Sequence, residues 1–395
     1  MLRMVGTTVR GIRTPIIKEK ADLSEIVVDC LQKASEEENF TFADKDIVGL
    51  TEAIVAISEG NYATIDEVVI DLKNKYKTNH IGVVFPILSR NRFALILKSI
   101  ARAFNKITLL LSYPADEVGN AILDEEKLVS NNINPYSDII SFDKYKELFA
   151  DFVHPFTKIN MIDFYKEVAM SENCQLEVVL SNNPQDILNY TKDVLVCDIH
   201  TRNQTYDKLK QANTLYMLTD IVNEPINGSG YNPKYGLLGS NRSTEEVLKL
   251  FPRGGEELVN DIQNKLYQKT GKKIEVLVYG DGAFKDPVGK IWELADPVVS
   301  PAYTQGLVGT PNEIKLKYVS DNDFSHLTGE ELNNAVKQAI KEKEENLQGK
   351  MITQGTTPRQ LTDLIGSLCD LTSGSGDKGT PVVYIQGYFD NYASE

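Results

Sequence analysis

The chain has 395 residues, 42% hydrophobic and 25% charged, the balance of a globular protein with two domains or one core carrying a large insertion. A net charge of −14 and a pI near 5.0, with no long basic run, exclude nucleic acid as an expected partner. No segment approaches membrane-spanning length, and Met1 to Lys18 lacks the apolar run of a secretory leader, so no membrane association and a cytoplasmic location are expected.

Four cysteines, Cys30, Cys174, Cys197 and Cys369, lie far apart without metal-ligand spacing and read as reduced thiols. The four histidines, His80, His154, His200 and His326, are equally scattered, which leaves a histidine-rich zinc site without support.

Strand-like and helix-like segments alternate along the chain. Asp22-Leu23-Ser24-Glu25 has capping-box spacing and opens an amphipathic helix expected to end near Lys33. An apolar run over 47–56 follows and breaks at Ser58-Glu59-Gly60-Asn61. Residues 82–88 read as a strand, although Pro86 counts against a central place in a sheet. Ser89 caps a predicted helix whose Phe93, Ile96, Leu97 and Ile100 share one face. Further strands are predicted at 107–112, 176–180, 194–197 and 214–218, with helical stretches at 163–168 and 206–211 between them. Strands spaced by helices predict a parallel, doubly wound sheet over roughly residues 64–225.

Ligands of open α/β sheets bind beyond the carboxyl ends of the strands. The residues following the predicted strands are polar: 89–92, 113–117, 181–183, 198–202 and 219–220. In this topology they share one rim. Arg90 and Arg92 fall in the first turn of the predicted helix, where cations oppose the helix dipole and call for an anion. A substrate phosphate or carboxylate would supply it; Asp116 or Glu117 across the rim would serve equally. Asp198 and His200, at i and i+2 of an extended segment, would point to one side as an acid–base pair, or His200 simply caps a strand end.

In the last third, an apolar segment stops at Gly280 and delivers Asp281 and Asp286 across Gly280-Asp281-Gly282-Ala283-Phe284-Lys285-Asp286. A carboxylate at a strand tip between glycines suits a divalent cation or a phosphate-bearing ligand, and it also suits a plain Asp-Gly turn. A Lys- and Glu-rich helix starting at Thr328 reads as a solvated face. Thr357-Pro358-Arg359-Gln360 marks another helix start, and its helix gives way to the glycine-serine loop 372–380 before a closing strand at 381–385. Backbone amides of such a loop, with Lys378, can wrap phosphates.

These segments resemble the gamma-glutamyl ligase family of the deazaflavin coenzyme factor 420. The likeness lies in Gly11-Ile12-Arg13-Thr14-Pro15, Asp22-Leu23, Asp46-Ile47-Val48 and Ser58-Glu59-Gly60, then in 236–241, 271–281 and 357–387. It implies an α/β fold: an α+β ligase-like core over 1–61 and 226–395, with an inserted doubly wound, mostly parallel α/β domain over 62–225. It also implies a homodimer that joins an amino acid to a small carboxylate-bearing substrate, using GTP (or ATP) and Mg or Mn. Carried onto this chain, it places the cation on Asp281, with Asp286 beside it. Nucleotide falls to Gly11, Ile12, Glu59, Asn241, Gly374, Gly376, Asp377, Lys378 and Gly379. The rim reading, apart from the resemblance, gives Arg90, Arg92, Asp198 and His200 to the substrate.

Three positions depart from the family pattern. Its second metal aspartate falls on Leu238 and its Glu-Gly loop lysine on Ile57. The acid of its C-terminal loop falls on Ser373 or Ser375, with Asp377 close by. A ligase-like protein that binds a metabolite without turnover is therefore the alternative, and chemistry at Asp198 and His200 of the inserted domain is a third reading.

Overall fold

Runs of β-branched and apolar residues broken by glycine, asparagine and proline give short strands separated by amphipathic helices, and these assemble into three sheets. The computed structural model describes residues 4–155, 157–280, 300–356, 359–373 and 377–394. Asp281, Asp286, Thr357, Pro358, Gly374, Ser375 and Gly376 lie outside these described residues.

The chain opens with β1 (Thr8–Ile12), α1 (Leu23–Glu38), β2 (Ile47–Thr51), α2 (Glu52–Glu59), β3 (Tyr62–Thr64) and α3 (Ile65–Lys75). The middle runs through β4 (His80–Val84), α4 (Phe93–Ala103), β5 (Lys106–Leu111), α5 (Glu125–Ser130), β6 (Ile140–Ser141) and α6 (Phe142–Phe149). It continues with α7 (Met161–Ser171), β7 (Gln175–Leu180), β8 (Asp193–Val196), α8 (Arg202–Lys208) and β9 (Thr214–Met217). The last part holds β10 (Asn241–Arg242), β11 (Val247–Lys249), α9 (Gly255–Thr270), β12 (Glu275–Tyr279) and β13 (Ala302–Tyr303). Helices α10 (Leu316–Asp321), α11 (Gly329–Lys341) and α12 (Leu361–Ser373) precede the closing strand β14 (Val382–Gln386). The protein is α/β.

The middle strands form a six-stranded sheet in the order β6-β7-β5-β4-β8-β9, parallel throughout except for β6 against β7. One face packs under α3, α4 and α7 through Val83, Leu109, Leu97 and Tyr165. The other buries Val84, Leu110 and Val196 against Ile187 and Leu209. Burial on both faces explains why these strands are continuous apolar runs. Strand β4 ends at Val84, because Phe85 turns to φ +54°, so Pro86 lies beyond a strand that is central after all.

The outer strands form a mixed sheet in the order β1-β14-β2-β12-β13, in which only β2 and β12 run parallel. Along β12, Val276 and Val278 face α1 and α9, while Leu277 and Tyr279 face α12. The apolar run 47–56 is both a strand and a helix, since the chain passes from β2 into α2 at Thr51 without a turn residue. Asp22 caps α1 by accepting from the Glu25 amide at 3.1 Å, as predicted, but the helix runs on to Glu38 and stops at Asn39 in the left-handed region. The small sheet β10-β11-β3 ties the segment after the six-stranded sheet to the end of the Glu59-Gly60-Asn61 loop.

Candidate functional site

The register of the mixed sheet lines up Ile12 with Val382, Val382 with Leu50, and Thr51 with Tyr279. The segments leaving this row therefore share one edge. They are Arg13, the loop up to Pro381, Glu52 and Gly280. The Thr51 amide donates to the Pro381 carbonyl at 3.0 Å, and Arg13 Nε donates to the Lys378 carbonyl at 3.4 Å. A Cβ on Gly11 would meet the Thr380 side chain at 3.1 Å, so a bare backbone fits closest here. Gly11, Ile12, Asp377, Lys378 and Gly379 are thus brought together, the last three exposed to solvent, with Gly379 at φ +66°.

Two hydrogen bonds hold this loop against the strand tip. The Tyr279 hydroxyl donates to Ser373 Oγ at 2.7 Å, and Thr380 Oγ1 donates to the Ser373 carbonyl at 2.9 Å. Burial pushes the Tyr279 hydroxyl pKa far up, so it stays a donor. Glu52, at the start of α2, is a buried acid on the same edge. Sequence reasoning missed it, because it sits inside an apolar run with nothing to set it apart.

Glu59 lies on the helical side of that edge. Its carboxylate accepts from the Arg253 amide at 3.0 Å and the Gly254 amide at 2.9 Å, and so caps α9. A Cβ on Gly255 would meet the Ala302 Cβ at 2.9 Å, which sets this helix end beside the tip of β12. The fully buried Asn61 extends the knot, donating to the Phe251 carbonyl at 2.6 Å and accepting from the Tyr231 amide at 2.9 Å and from Arg253. Ile57 packs half-buried on the α1–α9 core. Asn241 is half-buried in β10, two strands from Tyr62.

The six-stranded sheet does align its polar clusters on one rim, since β4, β5, β7, β8 and β9 run parallel. Those clusters spend their polar groups on one another. Asp116 accepts from the amides of Leu88 at 2.8 Å, Val118 at 3.1 Å and Asn120 at 2.8 Å. Asn182 accepts from the Tyr113 amide at 3.0 Å. Glu117 reaches across to accept from the amides of Ile199 and His200, the latter at 3.0 Å.

Between the parallel neighbours β4 and β8 the order in which strands are added reverses, the point where such sheets place ligands. Here Leu237, Leu238, Gly239 and Ser240 fill that crevice, facing Ile87, Phe93 and Ile199. A space of about 20 Å³ remains, room for roughly one water. Arg92 is buried and lines this remnant, whereas Arg90 is exposed. Neither lies in the first turn of α4, because the Ser89 hydroxyl accepts from the Arg92 amide at 3.2 Å and delays the helix to Phe93.

Asp198 is buried, with Oδ2 accepting from Thr201 at 2.5 Å and Thr205 at 2.7 Å. Among the described residues its Oδ1 has no hydrogen-bond partner. Burial pushes its pKa up against the two threonines. Burial likewise raises Glu117, against its backbone donors and with help from the nearby Asp198 charge. His200 is exposed, so Asp198 and His200 face different surroundings and are not brought together as a pair.

No group of three or more His, Cys, Asp or Glu side chains that could hold a metal ion occurs among the described residues. Leu238 is 1% exposed inside an apolar core and contributes nothing to such a site. No described helix is long and apolar enough to cross a membrane. Residues 11–387 match the family model for F420-0:Gamma-glutamyl ligase, a span that runs through 62–225 as well. No curated protein matches the chain.

Proposed function

This chain belongs to the F420-0:gamma-glutamyl ligase family, and from that premise we propose that it forms an amide bond between an amino group and a small carboxylate-bearing substrate. GTP or ATP drives the step, with Mg or Mn as the divalent cation. The observation that carries this reading is the shared edge of the mixed sheet, where Gly11, Ile12, Glu52, Gly280 and the loop Asp377-Lys378-Gly379 meet.

In this reading residues 1–61 and 226–395 form the ligase core and 62–225 an inserted unit, and the protein works as a homodimer. The exposed amides of 377–379 and the Lys378 ammonium receive nucleotide phosphates. Asn241 and the Glu59 loop border the nucleotide. Asp281, with Asp286, supplies carboxylates for the cation, which neutralises phosphate charge when bound. The terminal phosphoryl group passes to a substrate carboxylate oxygen and releases the nucleoside diphosphate. The amine then attacks the acyl carbon, loses its proton, and expels inorganic phosphate as the amide forms. The chain's own contribution is positioning and charge stabilisation.

Calorimetric titration of GTP and ATP, with and without magnesium or manganese, tests this. Cation-dependent binding that is lost in Asp281→Asn supports the site; no binding of either nucleotide overturns it. The buried Leu238 and half-buried Ile57 favour a second reading, a ligase-like protein that binds a metabolite without turnover. Nucleotide binding without release of inorganic phosphate, across a panel of acids and amino acids, would select that second reading.

A further inference from the structure

The two rim arginines part company, and Arg90 finds another neighbour. The Arg242 amide donates to the Asn91 carbonyl at 2.7 Å, which ties the β10–β11 hairpin to the loop that carries Arg90. Lys98 Nζ on α4 donates to the Glu245 carbonyl of the same hairpin at 3.2 Å. Between α4, α7 and the hairpin lies a groove of about 200 Å³. Arg90, Lys98, Arg242 and Glu245 line it, and Leu95, Phe164 and Val168 give it an apolar wall.

The charges in this groove do not count equally. Arg242 pairs with Glu245 at 3.0 Å, and Lys98 pairs with Glu246 and, at 3.8 Å, with Glu172. Arg102 pairs with Glu172, Glu246 and, at 2.9 Å, Asp66, and holds Glu246 down at a pKa of about 2. Arg90 is exposed and makes no ion pair among the described residues, and burial first, then the nearby Arg90 charge, disfavour protonation of His154. Arg90 is thus a cation without an ion-pair partner among the described residues, in a groove whose wall includes the Phe164 ring. That suits a single anionic group on an apolar body and does not suit a polyphosphate.

We propose that this groove binds a small organic anion with a single acidic group, a carboxylate or phosphate monoester on an aromatic or aliphatic body, through Arg90 and Arg242 over Phe164. The proposal rests on the reading of Arg90 as a substrate contact and is independent of the nucleotide edge.

Phenyl phosphate, benzoate and inorganic phosphate, titrated into the full chain by calorimetry, test it. Phenyl phosphate or benzoate is expected to bind, with inorganic phosphate about tenfold weaker for want of apolar contact. Arg90→Gln, an exposed change that leaves the thermal melt in place, is expected to weaken the organic anions by about tenfold or more. Phe164→Leu is expected to weaken them and leave inorganic phosphate unchanged. Absence of organic-anion binding, or equal binding to Arg90→Gln, overturns the proposal. The cation-dependent GTP titration reads the sheet edge alone, so its failure would sink the nucleotide reading while the groove stood or fell on the organic anions.

Discussion

Two sheets in this molecule end their strands in polar residues, and they use those ends in opposite ways. Along the six-stranded sheet, Asp116, Glu117 and Asn182 tie neighbouring rim loops to one another, and Leu237 to Ser240 fill the crevice between β4 and β8. Along the mixed sheet, the row from Ile12 to Tyr279 ends in a loop whose Asp377, Lys378 and Gly379 remain exposed. A polar rim is thus no proof of a ligand site. What decides is whether the polar groups are consumed by backbone partners and whether the chain occupies the crevice itself.

The sharpest way to break this comparison is to put at position 238 the acid that the family resemblance leads us to expect there. Leu238→Asp would place a charge in an apolar core, and is expected to cost roughly 4 kcal/mol or more, read as loss of the folded fraction in denaturant. A folded variant with new manganese affinity would show instead that position 238 faces the mixed-sheet edge.

Gly239→Ala comes next. The residue sits at φ +74°, and an added Cβ would lie 1.7 Å from the Phe251 ring. A loss of roughly 3 kcal/mol is expected from overlap and backbone strain together, measured by urea melts. A neutral result would mean that the segment is not wedged in the crevice.

On the other sheet, Tyr279→Phe removes only the hydroxyl that holds Ser373. Stability should fall by about 1–2 kcal/mol, as the buried Ser373 hydroxyl loses its donor. The stronger readout is nucleotide affinity, expected to drop while the fold persists. Unchanged affinity would separate the latch from the proposed site.

The smallest effect concerns acidity. Asp198 holds its proton above the ordinary 3.8 because burial penalises its charge. Between that value and the raised folded value, the unfolded chain has lost the proton and the folded chain has not, so stability falls as pH rises through the window. Glu117 and Asp116 act in the same direction. Asp198→Asn removes one of the three contributions. Its stability should therefore decline less than the parent's as pH rises above the ordinary 3.8, by thermal melts in matched buffers. An equal slope would show that Asp198 is not a source of the decline.

Local signals carried the elements. The Asp22 cap, the α4 face of Phe93, Ile96, Leu97 and Ile100, and the strands near 107, 176, 194 and 214 all follow from capping chemistry and apolar periodicity. The same signals misjudged ends. α1 runs past Lys33 because nothing in Ala34 to Glu38 stops a helix, and β4 stops at Val84 because Phe85 turns. Glu52 was hidden within an apolar run, and Asn61 within a loop whose partners, Phe251 and Tyr231, lie some 170 to 190 residues away.

By itself the sequence determined the α/β class, the parallel order of the middle strands, and the family, because each depends on patterns confined to a few neighbouring residues. Only the tertiary structure decided that Arg90 and Arg92 serve different surroundings, that Leu238 is a plug, and that Ile12, Glu52 and Lys378 share one edge. Those facts depend on strand register and on which distant segment enters a crevice. Such choices are set by the burial of apolar side chains from remote parts of the chain, and no local spacing encodes them.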